Sequence, residues 1–194
     1  MEPAATTRFT EDEYLALERA SDTKHEFVDG EIIAMAGGSP RHNLIATNVA
    51  RALGNALRDR PCAVLNSDQS VHVAPKRSYF YPDVTVVCGK PDLVARHPSA
   101  LRNPVLLVEV LSKSTKRYDV GEKFEHFRKL PSLMDFIAIR KNERLVQHWH
   151  RTEVGQWLLT EIETDGAVDL TSLGVTLPLA AIYEKTDLFP DEED

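Results

Sequence analysis

The sequence predicts an α/β (α+β) domain: a mixed β-sheet core flanked by helices, with an additional antiparallel β region toward the C-terminus. Three observations carry this. Stretches with helical apolar spacing alternate with short β-type runs. One run, Pro104-Val-Leu-Leu-Val-Glu-Val-Leu-Ser112, has Glu109 as its only ionisable side chain. Four strand-like runs then follow one another from Phe136 to Leu170 without a helix between them.

In chain order, Thr10 with Glu13 forms a capping box for a first helix whose apolar residues are Tyr14, Leu15 and Leu17, ended at Ser21-Asp22. His25–Val28 and Glu31–Ala36 flank Asp29-Gly30, the signature of a tight hairpin. From Arg41 to Arg58, Leu44, Ile45, Val49, Leu53 and Leu57 recur at helical spacing. Short β runs cover Ala63–Leu65, Ser70–Val73 and Asp83–Val87. Gly89–Asn103 lacks periodicity and reads as a loop or short irregular helix. After Pro104–Leu111 comes a polar loop, then a helix from Asp119 to Leu130, capped by Asp119 and Glu122 and stopped by Pro131. Strands over Phe136–Ile139, Arg144–His150, Gln156–Glu161 and Ala167–Leu170 complete the chain, with turns at Lys141-Asn142 and Asp165-Gly166.

The 194 residues fit one domain, 1–194, with an acidic tail over 187–194, and 42% hydrophobic content is enough for its core. The net charge of -7 argues against a globally basic nucleic-acid binder. Locally the balance reverses: between Lys113 and Leu130, Lys113, Lys116, Arg117, Lys123, Arg128 and Lys129 outnumber Asp119, Glu122 and Glu125. The two cysteines, Cys62 and Cys88, lack metal-type spacing and read as reduced thiols of a cytosolic protein, with a disulfide between them as the alternative. No apolar run is long enough for a membrane span and the N-terminus has no signal pattern, so a cytoplasmic location is expected.

Glu109 asks for a reason, because burying an ionised carboxylate among Val and Leu costs several kcal/mol or more unless it is paired or metal-bound. Asp83, at the head of a strand after Pro82, can lie beside it in one sheet. Two carboxylates converging at a strand end make a hard-oxygen site suited to Mg²⁺ or Mn²⁺, able to polarise a phosphodiester and generate hydroxide. On an α-helical projection Lys123 borders the stripe of Val120, Phe124 and Phe127 and can reach toward Glu109. Glu26, in the first strand, is either a fourth member of this group or a cross-strand partner of Lys24 or Arg41.

In linked order, Lys24-His25-Glu26-Phe27-Val28-Asp29-Gly30-Glu31, Tyr81-Pro82-Asp83-Val84, Val108-Glu109-Val110-Leu111-Ser112 with Ser114-Thr115, and Asp119 with Lys123 resemble the Uma-type restriction endonuclease family of the PD-(D/E)XK nuclease superfamily. The resemblance runs from about Tyr14 to Ile139, two thirds of the chain. It implies a restriction-endonuclease-like core, a metal-dependent site hydrolysing DNA phosphodiester bonds, and a homodimer. It carries over Asp83 and Glu109 as metal ligands, Lys123 as the site lysine and Glu26 as an accessory acid. This sequence departs from the pattern at Leu111, where the usual E-x-K lysine is absent. The migrated helix lysine then falls on Lys123, with Lys113 as a second candidate. Phe127 stands where a tyrosine often follows, and Leu133-Met134-Asp135-Phe136 replaces the more usual stretch.

Competing readings stand beside this one. Glu109 can be a structural ion-pair partner of Lys123 or an arginine, and Asp83 a turn acid. His42, opening a helix after Gly37-Gly38, can face the site or solvent. His148 and His150 share one strand face, but no further zinc ligands are evident and they read as a polar face. Two alternatives to an enzyme follow: a catalytically inactive nucleic-acid- or protein-binding dimer module on the same fold, and a structural dimer with salt-bridged carboxylates.

Overall fold

A computed structural model describes residues 8–74, 77–112 and 118–189. Helix α1 (Glu11–Ala20) begins at the expected box: Thr10 accepts from the Glu13 amide at 3.3 Å and its own amide donates to Glu13 at 2.7 Å. Tyr14 and Leu15 are buried, whereas Leu17 stays largely exposed. Strands β1 (His25–Val28) and β2 (Glu31–Ala34) form the hairpin, with Asp29 at φ 50° and Gly30 at φ 93°; positive φ at both central residues is what this two-residue turn requires. Helix α2 (Pro40–Ala56) is capped by Ser39 and buries Ile45, Val49 and Leu53.

The chain continues through β3 (Cys62–Asn66), β4 (Val71–Val73), β5 (Ser78–Phe80), β6 (Val84–Cys88), β7 (Leu93–Val94), β8 (His97–Leu101) and β9 (Leu106–Leu111). A π-helical turn (Tyr118–Lys123) runs into the short α3 (Phe124–Phe127). After these come β10 (Asp135–Arg140), β11 (Leu145–Arg151), β12 (Trp157–Glu163), β13 (Ala167–Leu170), β14 (Val175–Pro178) and α4 (Leu179–Ile182).

The strands form two six-stranded sheets, ordered β2-β1-β5-β4-β8-β7 and β12-β11-β10-β9-β6-β3, with β13-β14 as a separate pair. In the second sheet β9 lies antiparallel to β6 and parallel to β10. Strand β9 is buried along its whole length because both its faces are covered. Val108 and Val110 join a core with α2, Ile137, Ile139 and the C-terminal Leu177, Leu179 and Ile182. Leu107 and Leu111 pack on the opposite side with Phe80, Phe124, Phe127 and Phe136. Glu109 shares this second side, where the first sheet and α3 close over it.

Several expectations need correction. Gly89–Asn103 is not a loop or helix but holds the pair β7 and β8. The helix expected over 119–130 is a π turn plus four α-helical residues. Arg151 of β11 closes its far end by donating to the carbonyls of Arg128 (3.1 Å), Leu130 (3.0 Å) and Pro131 (3.1 Å), which locks the segment onto the sheet. Cys62 and Cys88 are not free thiols but a disulfide, because β3 and β6 pair in a register that sets the two residues opposite, with Cα atoms 4.0 Å apart. Beyond β13 the chain adds β14 and α4. Of the acidic tail, residues 190–194 lie outside the described residues, as do Lys76, Lys113, Ser114, Thr115, Lys116 and Arg117. Among the described residues no helix is long and apolar enough to cross a membrane.

Candidate active site

The turn before α3 decides where Lys123 points. A π turn carries about 4.4 residues rather than 3.6, so it rotates the following residues relative to an α-helical projection. Lys123, expected at the border of the apolar stripe, is instead only 6% exposed. Its Nζ stands 2.9 Å from Glu26 Oε1 and 3.3 Å from Glu109 Oε1. Glu109 is 4% exposed and Glu26 is equally buried. One ammonium therefore serves carboxylates from both sheets, which is how two buried acids are tolerated.

Glu26 reaches the cleft because β1 alternates: Phe27 turns to α1 and stacks on Tyr14 with ring centroids 5.0 Å apart, leaving its neighbour on the opposite face. Glu26 also accepts from the Tyr81 amide at 3.3 Å. Of the two alternative partners, Lys24 pairs with Asp68, and Arg41 donates to the backbone oxygens of Lys141, Thr186 and Phe189.

Asp83 precedes β6, and the pairing of Val84 with Val108 brings it beside the end of β9. Its Oδ2 accepts from the Val110 amide at 2.7 Å and lies 3.1 Å from His42 Nε2, in the first turn of α2. Burial opposes a charge on His42, but the hydrogen bond and charge of Asp83 outweigh it and hold the imidazole above its usual pKa. The histidine thus faces Asp83 rather than open solvent.

Glu26, His42, Asp83, Glu109, Lys123 and Lys141 line one cleft of about 690 Å³. By sequence Lys141 belongs to a turn with Asn142. It is buried directly after β10, whose Arg140 pairs with Leu111 at the end of β9, and its charge works against protonation of His42. The parallel pairing of β9 and β10, a long-range fact, is the signal that places it. Among the groups lining the cleft, Glu26, Asp83 and Glu109 bring carboxylate oxygens, the hard donors that Mg²⁺ or Mn²⁺ takes.

Two layered sheets with acids gathered where β1, β6 and β9 meet define a nuclease-like α/β fold. A crystal structure from Anabaena variabilis, described as "a putative nuclease belonging to DUF820", superposes with a TM-score of 0.76 over 92% of this chain and 99% of that one, at 17% sequence identity. The chain belongs to the Uma2 family, described as "Putative restriction endonuclease", whose model matches residues 11–180. Two similar proteins come from Synechocystis sp. "Uncharacterized protein sll1609" is 37% identical over 84% of this chain and 93% of its own length. "Uncharacterized protein slr1290" is 32% identical over 91% and 92% respectively.

Proposed function

We propose that this protein is a Mg²⁺- or Mn²⁺-dependent endonuclease of PD-(D/E)XK type that hydrolyses DNA phosphodiester bonds in the cleft between its two sheets. The observation that carries the reading is the shared position of Lys123, in contact with Glu26 and Glu109 and lining the same cleft as Asp83.

Asp83 and Glu109 are the residues that would hold the divalent ion. Such an ion supplies Lewis acidity toward the phosphate oxygens and a bound water of lowered pKa. The chain's own groups do the rest. The Val110 amide and His42 fix the orientation of the Asp83 carboxylate. Lys123 offers an ammonium to orient the attacking water and to offset negative charge that develops on the phosphate, with Glu26 positioning it as the accessory acid. Lys141 adds a second cation at the cleft wall for a phosphate oxygen. The same reading includes a homodimer as the functional unit, which light scattering on the purified protein checks.

The test is cleavage of plasmid, linear and branched DNA with Mg²⁺ or Mn²⁺, beside a Glu109→Ala variant. Metal-dependent cutting lost in the variant supports the reading; no cutting by either protein ends it. One observation favours a second reading, a catalytically inactive binding module: Leu111, at the E-x-K lysine position, is buried and apolar, so the usual strand lysine is missing. Salt-dependent DNA binding without cleavage would select that reading.

A further inference from the structure

At the opposite end of β10 from Lys141 stands a cluster that the cleft does not use. Asp135, the first residue of β10, is fully buried. Its Oδ1 lies 2.7 Å from His148 Nε2 and 2.8 Å from His150 Nδ1, both on the neighbouring strand β11. The register explains the convergence. Asp135 pairs directly with His150, His148 stands two residues back on the same face, and all three side chains emerge on the α2 side of the sheet. The other carboxylate oxygen, Oδ2, accepts from the hydroxyl of Ser172, which sits between β13 and β14. Glu109 occupies the other face of this sheet, and the six-residue length of β10 separates the cluster from Lys141 by about 20 Å.

Two imidazoles aim ring nitrogens at a single buried carboxylate oxygen and fill both its acceptor positions. The three ligand atoms all lie within 4.8 Å of one another. Two nitrogens and one carboxylate oxygen form a borderline donor set, distinct from the all-oxygen cleft, and suit zinc better than magnesium. Tetrahedral metal–ligand bonds of about 2.0–2.2 Å put ligand atoms roughly 3.3 Å apart. The rings would need to retreat by about half an ångström. His150 has room for this because its side chain is 29% exposed, and that opening also leaves a fourth position for water. Ser172 supplies the outer contact that orients a ligating carboxylate.

We propose that Asp135, His148 and His150 form a second metal site, binding one Zn²⁺ and fastening the β10–β11 hairpin to the turn between β13 and β14, independently of the cleft. When the ion binds His148 Nε2 and His150 Nδ1, a neutral ring carries its one proton on the other nitrogen, and only an imidazolium ring gives up a proton to solvent.

The test uses the full chain after chelation, with Zn²⁺ in calorimetry and Co²⁺ as a spectroscopic probe. Expected are one strong Zn²⁺ equivalent, the visible absorption of four-coordinate cobalt, and a Tm rise of roughly 5–10 °C at a hundredfold excess over Kd. The partly exposed His150→Gln change should weaken binding at least tenfold in a protein with unchanged circular dichroism, and His148→Ala/His150→Ala should abolish the cobalt band. A Glu109→Ala/Asp83→Asn variant should keep the band in full, which separates this site from the nuclease reading. A wild-type protein that takes up no cobalt, or a His150→Gln protein that binds it as tightly as wild type, overturns the proposal.

Discussion

Lys123 Nζ lies 2.9 Å from Glu26 Oε1, an ion pair that ties the π turn to the first sheet while Glu109, 3.3 Å away, approaches from the second. All three side chains are almost wholly removed from solvent. Lys123→Met therefore leaves two buried carboxylates without their cation, and a loss of about 3–5 kcal/mol in urea denaturation is expected. In Glu26→Gln/Lys123→Met the combined loss should be smaller than the sum of the single losses, because one change removes the charge that the other strands. An additive result would show that the pair is not coupled.

The His42–Asp83 contact makes stability depend on pH. Since the folded pKa of His42 is raised above the ordinary value of 6.5, its contribution is fully present below that value and is lost as pH rises through the folded pKa. Asn43 reinforces the shift and Lys141 opposes it. The metal-free protein should thus lose stability from about neutral pH upward, and Asp83→Asn should flatten that part of the profile. Chemical denaturation at a series of pH values reads both.

Asp135 behaves in the opposite sense. Burial works against its charge, but bonds from His148, Ser172 and His150 prevail and hold the carboxyl below its ordinary range. Its contribution is present above the unfolded value of 3.8 and disappears as pH falls through the folded one. Asp135→Asn should remove this acid-side loss and cost roughly 1.5–3 kcal/mol at neutral pH, the worth of hydrogen bonds to a charged group.

The Cys62–Cys88 disulfide closes a loop with a sequence separation of 26. Chain-entropy arguments assign such a crosslink about 3.5 kcal/mol. Reduction by dithiothreitol, or Cys62→Ser/Cys88→Ser, should lower Tm by roughly 10 °C; an unchanged Tm would mean the bond is not formed in solution.

If Lys141 meets a phosphate, Lys141→Gln should weaken DNA binding evenly across sequences. It should also reduce the slope of log K against log salt by about 0.9, one counterion's worth. Fluorescence anisotropy at several salt concentrations measures it, and an unaltered slope would remove Lys141 from the interface.

Local chemistry was legible in the chain. The Thr10–Glu13 box, the Asp29-Gly30 turn and the apolar spacing of Ile45, Val49 and Leu53 each act over a few residues, and each appears where its residues dictate. Glu109 stood out because an acid in a run of Val and Leu is costly, and Asp83 followed from a strand that could lie beside it. The sequence by itself therefore determined α1, the β1–β2 hairpin, α2 and the strand that carries Glu109, and marked the acids. Only the tertiary structure decided what those acids meet. The rotation of Lys123 inward depends on a π turn at the start of a segment whose far end Arg151 of a distant strand holds down. Lys141 enters through the parallel pairing of β9 with β10, and Asp135 reaches His148 and His150 through the register of β10 with β11. Register and sheet order are set by which apolar faces bury one another across the whole chain, and no window of neighbouring residues contains that information.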